Sequence, residues 1–241
     1  MQQYFADKVL QLHELYLFNQ EDSKHIQQVM RMKMDSIVRV VDRHQQCFYA
    51  RIQYQEHKVY GYIKEKVEVD SELPIKVTIY QGLIKKEAWD YFLQKATELG
   101  VSSIVPLISK RCVVKVNDKK DQKIQRFQKI CQQASEQSKR ILIPTVCEYM
   151  HVKEIPFEPT KVNIIAYEDH LKVSKSLNDV VCKDKDINLV IGPEGGFELQ
   201  EVNELIAKGY QVVTLGKRIL RAETASLYAL SVISSLVETY E

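Results

Sequence analysis

Between Ile191 and Thr224 the chain carries two glycine-bearing segments whose residue types suit the capture of a small molecule. The first reads Ile191-Gly192-Pro193-Glu194-Gly195-Gly196 and runs into Phe197. The second reads Leu215-Gly216-Lys217-Arg218-Ile219-Leu220-Arg221-Ala222-Glu223-Thr224-Ala225. Successive glycines let the backbone adopt left-handed angles or approach a ligand closely, while Pro193 removes a donor and fixes φ. Neither segment is a Walker loop, because no Gly-Lys-Ser/Thr follows, and neither contains the G-x-G-x-x-G dinucleotide fingerprint. Glu194 would repel a phosphate, so a neutral or cationic ligand held through backbone amides and carbonyls fits better. In the second segment Lys217, Arg218 and Arg221 crowd beside Ile219, Leu220, Glu223 and Thr224. Leu215, Ile219 and Leu220 can line an apolar slot while the basic residues face outward. The same glycines would equally serve tight turns, and Thr224 would equally cap a helix.

Each segment needs a strand before it and a helix after it. Leu189 to Ile191 and Val212 to Leu215 are short apolar strands; Glu198 to Lys208 and Ala225 to Tyr240 have helical patterning. Upstream, Ile75 to Tyr80 and Val101 to Ile108 read as strands separated by a helix from Lys86 to Leu99. Trp89, Phe92, Leu93, Ala96 and Leu99 share one face of that helix, and Gly100 ends it. Gln122 to Ser138 is a polar helix, and Val162 to Ala166 a further strand. Alternation of this kind predicts a parallel sheet covered on both faces, with ligands at the carboxyl ends of the strands. A connection of nearly ten residues after Val212–Leu215 exceeds the usual length of about two to six and suggests a binding loop.

The first seventy or so residues read differently. Ser36–Val41, Cys47–Ile52 and Lys58–Ile63 are β-rich and partly alternating, as in a small barrel or sandwich. One helix, Ser23 to Arg31 with a cap in Glu21-Asp22-Ser23, precedes them. Periodicity changes around Pro74, which divides a β domain, 1–72, from an α/β domain, 73–241.

Composition narrows the class. A chain of 241 residues with 45% apolar and 27% charged residues is ordinary for a globular protein. No apolar run is long enough to span a bilayer, and the N-terminus lacks the pattern of a secretory signal. The cysteines at 47, 112, 131, 147 and 182 are odd in number and never in a C-x-x-C pair. That pattern implies neither a disulfide framework nor a metal site and fits a reducing cytoplasm. The net charge of +2 hides an asymmetry, with 10 Lys and Arg against 11 Asp and Glu over 1–72, 14 against 7 over 73–150, and 10 against 14 thereafter. A basic middle third suits either a polyanionic partner or a solvated helix face.

Taken together these motifs resemble the bacterial 16S rRNA uridine-N3 methyltransferases of the SPOUT class. The resemblance rests on Gly192-Pro193-Glu194-Gly195-Gly196-Phe197 with Glu201, and on Leu215-Gly216-x-Arg218-Ile219-Leu220-Arg221-Ala222-Glu223-Thr224-Ala225. It extends to Ala96-Thr97-Glu98-Leu99-Gly100-Val101 with Pro106, to Glu136-Gln137-Ser138-x-Arg140 with Pro144, and to His25 with Val29-Met30-Arg31-Met32-Lys33. In two places the chain departs from the family pattern. Glu198 stands where members often have Ser or Thr, which leaves Glu201 a dipole or packing role, and Met34-Asp35 replaces a Gly-Asp turn.

The resemblance implies an N-terminal PUA-like β-barrel that binds RNA, a C-terminal α/β domain with a trefoil knot, and a homodimer. It implies S-adenosylmethionine held near Ala166, Tyr167, Glu168, Ile191, Gly192, Pro193, Glu194, Gly195, Gly196, Leu215, Gly216, Ile219, Leu220, Thr224 and Ala225. The substrate would be an unpaired or flipped uridine of 16S rRNA in the small subunit, with Arg31, Lys33, Lys110, Arg111, Lys139 and Arg140 on phosphates. Arg221 would stabilise charge on the base and Glu223 accept the N3 proton, unless Glu223 pairs with Arg218 or Arg221 instead. A methyltransferase of another RNA, or an assembly factor with secondary activity, are the competing expectations.

Overall fold

The computed structural model describes residues 1–114, 120–168 and 175–238. The chain divides into two compact units. The first comprises Met1–Glu72 together with Ser135–Leu142. The second comprises Leu73–Ala134 and Ile143–Glu241.

The first unit is built on strands β1 (Gln3–Phe5), β2 (Leu15–Leu17), β3 (Ile37–Val41), β4 (Cys47–Gln55) and β5 (Lys58–Val67). They form one sheet in the order β1-β3-β4-β5-β2, with only the β1–β3 pair parallel. Alternate residues Val38, Val40, Phe48, Ala50, Ile52, Val59 and Ile63 turn inward onto Tyr4, Phe18 and Ile26. Glu56 and His57 both take positive φ (47° and 64°), the twist that a two-residue hairpin turn between β4 and β5 demands. The helix expected from Ser23 to Arg31 begins earlier: α1 spans Gln20–Lys24 and continues as a π turn, His25–Val29. Its cap is Asn19, whose side-chain oxygen accepts from the Asp22 amide at 2.9 Å, a position the sequence reading passed over.

Among the described residues the second unit holds eight strands: β6 (Val77–Gly82), β7 (Ser103–Ile108), β8 (Thr145–Val146), β9 (Met150–His151), β10 (Val162–Ala166), β11 (Lys175–Ser176), β12 (Ile187–Ile191) and β13 (Gln211–Thr214). Every pairing is parallel, in the order β11-β13-β10-β12-β6-β7-β8, with β9 also on β7. Among the described residues five α-helices accompany them: α2 (Lys86–Glu98), α3 (Lys120–Ser138, whose last turn from Ser135 belongs to the first unit), α4 (Leu177–Val180), α5 (Leu199–Lys208) and α6 (Ala222–Val237). The sheet is buried on both faces, which is why its strands read as unbroken apolar runs. Ile187, Leu189 and Ile191 of β12 face a core shared with α2 and α6, whereas Val190 faces Val202 and Leu205 of α5.

Helix ends follow the punctuation in the sequence. Gly100 takes φ 91° beyond α2, its amide bonding to Thr97 and that of Val101 to Ala96. This pairing satisfies carbonyls that a helix end would otherwise leave open. The last helix departs from expectation. It starts at Ala222, so Arg221 occupies the cap position and Thr224 lies within the first turn, where it caps nothing.

Candidate active site

Four adjacent strands, β13, β10, β12 and β6, end side by side, and their carboxyl ends carry Thr214, Ala166, Ile191 and Gly82. The loops that leave these ends surround a cleft of about 1050 Å³, large for a small-molecule site. Its shape depends on one missing side chain. A Cβ on Gly82 would overlap the Pro193 nitrogen and stand 2.6 Å from the Gly192 carbonyl carbon. Only glycine lets the Gly192–Pro193 backbone lie against β6.

The first loop is held by its own turn and by its neighbours. The Gly196 amide donates to the Pro193 carbonyl at 2.9 Å, with Gly196 at φ 66°. Phe197, 2% exposed, anchors the loop in the core beneath α5. The Glu194 carboxylate accepts from the Lys85 amide at 3.1 Å, so this acidic group serves the first turn of α2 as well as the cleft wall. Glu201 does more than expected. It accepts from the amides of Glu198 (3.0 Å) and Lys110 (2.9 Å), capping α5 and tying down the segment after β7.

The second loop runs from Leu215 to Arg221, shorter than the sequence suggested because α6 starts at Ala222. Thr214 Oγ1 accepts from the Gly216 amide at 3.2 Å, and Gly216 sits at φ 108°. Below the loop, buried Ser226 of α6 donates to buried Gln81 of β6. That bond holds the start of α6 against the carboxyl end of β6. Ala222 and Ala225 are buried there, while Arg221 is exposed and Glu223 half-buried, both lining the cleft. Glu223 makes no ion pair with Arg218, Arg221 or any other described residue, so its carboxylate stays available to a ligand.

Of the residues expected to hold a ligand, Ala166, Tyr167, Glu168, Ile191 through Gly196, Leu215, Gly216, Ile219, Leu220 and Ala225 line this cleft, as do Arg221 and Glu223. Thr224 does not; it is exposed on the first turn of α6. Ile219 is 82% exposed, so the apolar slot is open on that side. Sequence reading missed Lys85, Glu87, Ala88 and Val113, which line the cleft from the β6–α2 turn and the segment after β7. Nothing local marks them; only the sheet order brings them to the loops of β12 and β13. The buried Gln81 was equally silent, a polar residue at the end of a mostly apolar strand.

The basic residues fare unevenly. Arg111 lines the cleft, and Lys110 is ion-paired to Glu198 at 3.2 Å. Arg31 and Lys33 are exposed on the first unit. Lys139 is half-buried and its Nζ donates to the Glu136 carbonyl at 2.8 Å; burial, and then Arg39, hold its pKa below the usual lysine value. Arg140 is a correction. It is 2% exposed, its guanidinium is turned onto Glu72, and the same carboxylate accepts from the amides of Ile141 and Leu142. A cation so enclosed organises the first unit and is not a surface phosphate contact. Among the described residues no cluster of His, Cys, Asp and Glu has metal-binding geometry.

Comparison with known proteins places this geometry in context. A family model described as an RNA methyltransferase domain matches residues 71–234. The chain is 34% identical to the ribosomal RNA small subunit methyltransferase E of Bacillus subtilis (strain 168), covering 99% of this chain and 98% of that one. Its structure is similar to that of the ribosomal RNA small subunit methyltransferase E of Neisseria gonorrhoeae bound to S-adenosyl methionine, at TM-score 0.90, 29% identity and 98% coverage of both chains. A Legionella pneumophila protein solved with the same cofactor bound superposes at TM-score 0.89 and 30% identity, covering 97% of each chain.

Proposed function

The chain belongs to the RNA methyltransferase family, and from that premise we propose that it methylates N3 of a uridine in small-subunit ribosomal RNA, using S-adenosylmethionine. The observation that carries this reading is the glycine-edged cleft with Arg221 and Glu223 in its wall. The cleft fits the cofactor. Its volume, its apolar Ile191, Leu215 and Leu220, and its glycine-rich backbone suit an adenosine, while exposed Glu168 and Glu194 favour a cationic ligand over a phosphate. When bound, the cofactor supplies an electrophilic methyl group; the protein's task is orientation and charge.

Uridine N3 lies on the Watson–Crick edge, so the base must leave any pair to reach the cleft. The imide proton must depart as N3 acquires the methyl group. Half-buried and unpaired among the described residues, the Glu223 carboxylate accepts it, and the Arg221 guanidinium stabilises the negative charge that develops on the flanking carbonyl oxygens. The Ser226–Gln81 bond fixes the helix turn that presents both groups.

We further infer a PUA-like barrel in the first unit, a trefoil knot at the β13–α6 connection, a cytoplasmic location and a homodimer. The knot rests on the resemblance of the Leu215–Ala225 motif to the SPOUT class; the crossover from β12 to β13 over β10 is one that knotted and unknotted sheets share. A dimer is supported by exposed Tyr91 on α2 and Tyr228 on α6, two helices packed side by side, and by Ile219.

Small ribosomal subunits from cells lacking this protein, incubated with labelled cofactor, should yield N3-methyluridine on nucleoside analysis. A ribose-methylated product would redirect the assignment, and absence of incorporation would leave an assembly factor. The Glu223→Gln protein should bind cofactor normally and lose about 10² to 10⁴-fold in single-turnover rate; a wild-type rate removes Glu223 as the base.

A further inference from the structure

A second cavity, of about 310 Å³, lies beside the cleft in the same unit. Its walls are Leu83, Ile84, Trp89, Val114, Phe127 and Tyr149, with Lys86, Lys123 and Arg126 completing the lining. The first turn of α2 separates the two spaces, since Lys85, Glu87 and Ala88 line the cleft whereas Lys86 and Trp89 line the cavity. The segment after β7 does the same, with Val113 on one side and Val114 on the other. An occupant of the cavity therefore sits one helical turn from an occupant of the cleft.

The lining specifies what that occupant is. Trp89 and Phe127 pack with ring centroids 5.4 Å apart and form one continuous aromatic wall. Trp89 is 2% exposed, yet its indole N–H has no hydrogen-bond partner among the described residues. A buried donor without an acceptor is uncommon and calls for one. Arg126 is committed to Asp90 through two bonds of 2.8 and 2.7 Å, but Lys86 and Lys123 make no ion pair with any described residue. Aromatic faces, a buried donor and two free ammonium groups together match a flat heterocycle that carries acceptors and is attached to a phosphate. That is a nucleotide.

We propose that this cavity receives the base of an unpaired nucleotide flanking the target uridine, so that the RNA strand is gripped on both sides of the first turn of α2. The proposal rests on the RNA methyltransferase reading above. It assigns half-buried Tyr149 to base stacking, buried Trp89 and Phe127 to the apolar floor beneath the base, and Lys86 and Lys123 to the adjoining phosphate.

Trp89 is the protein's single tryptophan, so its fluorescence reports the cavity directly. Titration with a short, unpaired, uridine-containing oligoribonucleotide should quench the emission saturably. Tyr149→Ala and Lys123→Glu should each weaken that quenching affinity about tenfold without altering cofactor affinity, which lies on the other side of the helix turn. Lys123→Glu guards against misfolding in Tyr149→Ala, because it changes no wall of the core. Unchanged emission at saturating RNA, or equal quenching in wild type and both variants, overturns the proposal. Methyl transfer to small subunits is measured with the same protein. Transfer without quenching removes the cavity's role and leaves the activity standing, whereas quenching without transfer strikes the activity and leaves the cavity's role standing.

Discussion

Gly82 illustrates how much one residue's missing atom decides. Its hypothetical Cβ meets backbone, the Pro193 nitrogen and the Gly192 carbonyl carbon, neither of which can rotate away. Gly82→Ala should therefore push the Gly192–Pro193 loop off β6, at a cost of about 1–3 kcal/mol, and weaken cofactor binding by more than tenfold on calorimetry. Gly196→Ala is the contrasting case. A Cβ there meets nothing within 4 Å, but the residue holds φ 66°, so the expected loss is conformational strain of about 1–2 kcal/mol with the cleft otherwise intact. In the sequence the two glycines look alike; Gly196 even looks the more important. Gly82 gave no signal because its partner lies more than a hundred positions along the chain. Arg140 teaches the converse, since a basic residue in a basic stretch is read as surface charge until Glu72 is found against it.

At the level of elements, the strands and helices were legible because burial on one or both faces imposes a period. Their ends were less so. α6 begins at Ala222 without a side-chain cap, and its first turn is held by the Ser226–Gln81 bond to β6, a tertiary contact that overrides Thr224 as a local capping signal. α5 shows capping by an unexpected residue. Glu201 is 5% exposed and accepts from Glu198 and Lys110 together, joining the helix to the segment after β7. Glu201→Ala should cost about 1–2 kcal/mol from the lost cap, and more from the Lys110 amide left without its acceptor. Chemical denaturation would show this as a lowered midpoint with unchanged slope; a stability equal to wild type would mean that water replaces both bonds.

For the molecule as a whole, the basic excess between residues 73 and 150 suits an RNA partner, yet its cations are not equivalent. Arg140 is spent inside the first unit and Lys110 is partly neutralised by Glu198, while outside that stretch Arg31 and Lys33 of the first unit remain exposed. If the exposed pair contacts phosphates, RNA affinity should fall with salt, and Arg31→Ala with Lys33→Ala should reduce the log–log slope by about two. An unchanged slope would place the phosphate path elsewhere. The sequence alone determined the parallel α/β class and the two glycine loops, because those features follow from local periodicity and backbone requirements, while the lining at the end of β10 was named through the family resemblance of the motifs. Tertiary structure alone decided that Lys85, Glu87 and Ala88 share the cleft, that Gln81 seats α6, that residues 135–142 join the first unit and that Trp89 closes a second cavity. Each of these depends on contacts between distant segments, and a hydrophobic pattern records which face of an element is buried but not what it is buried against.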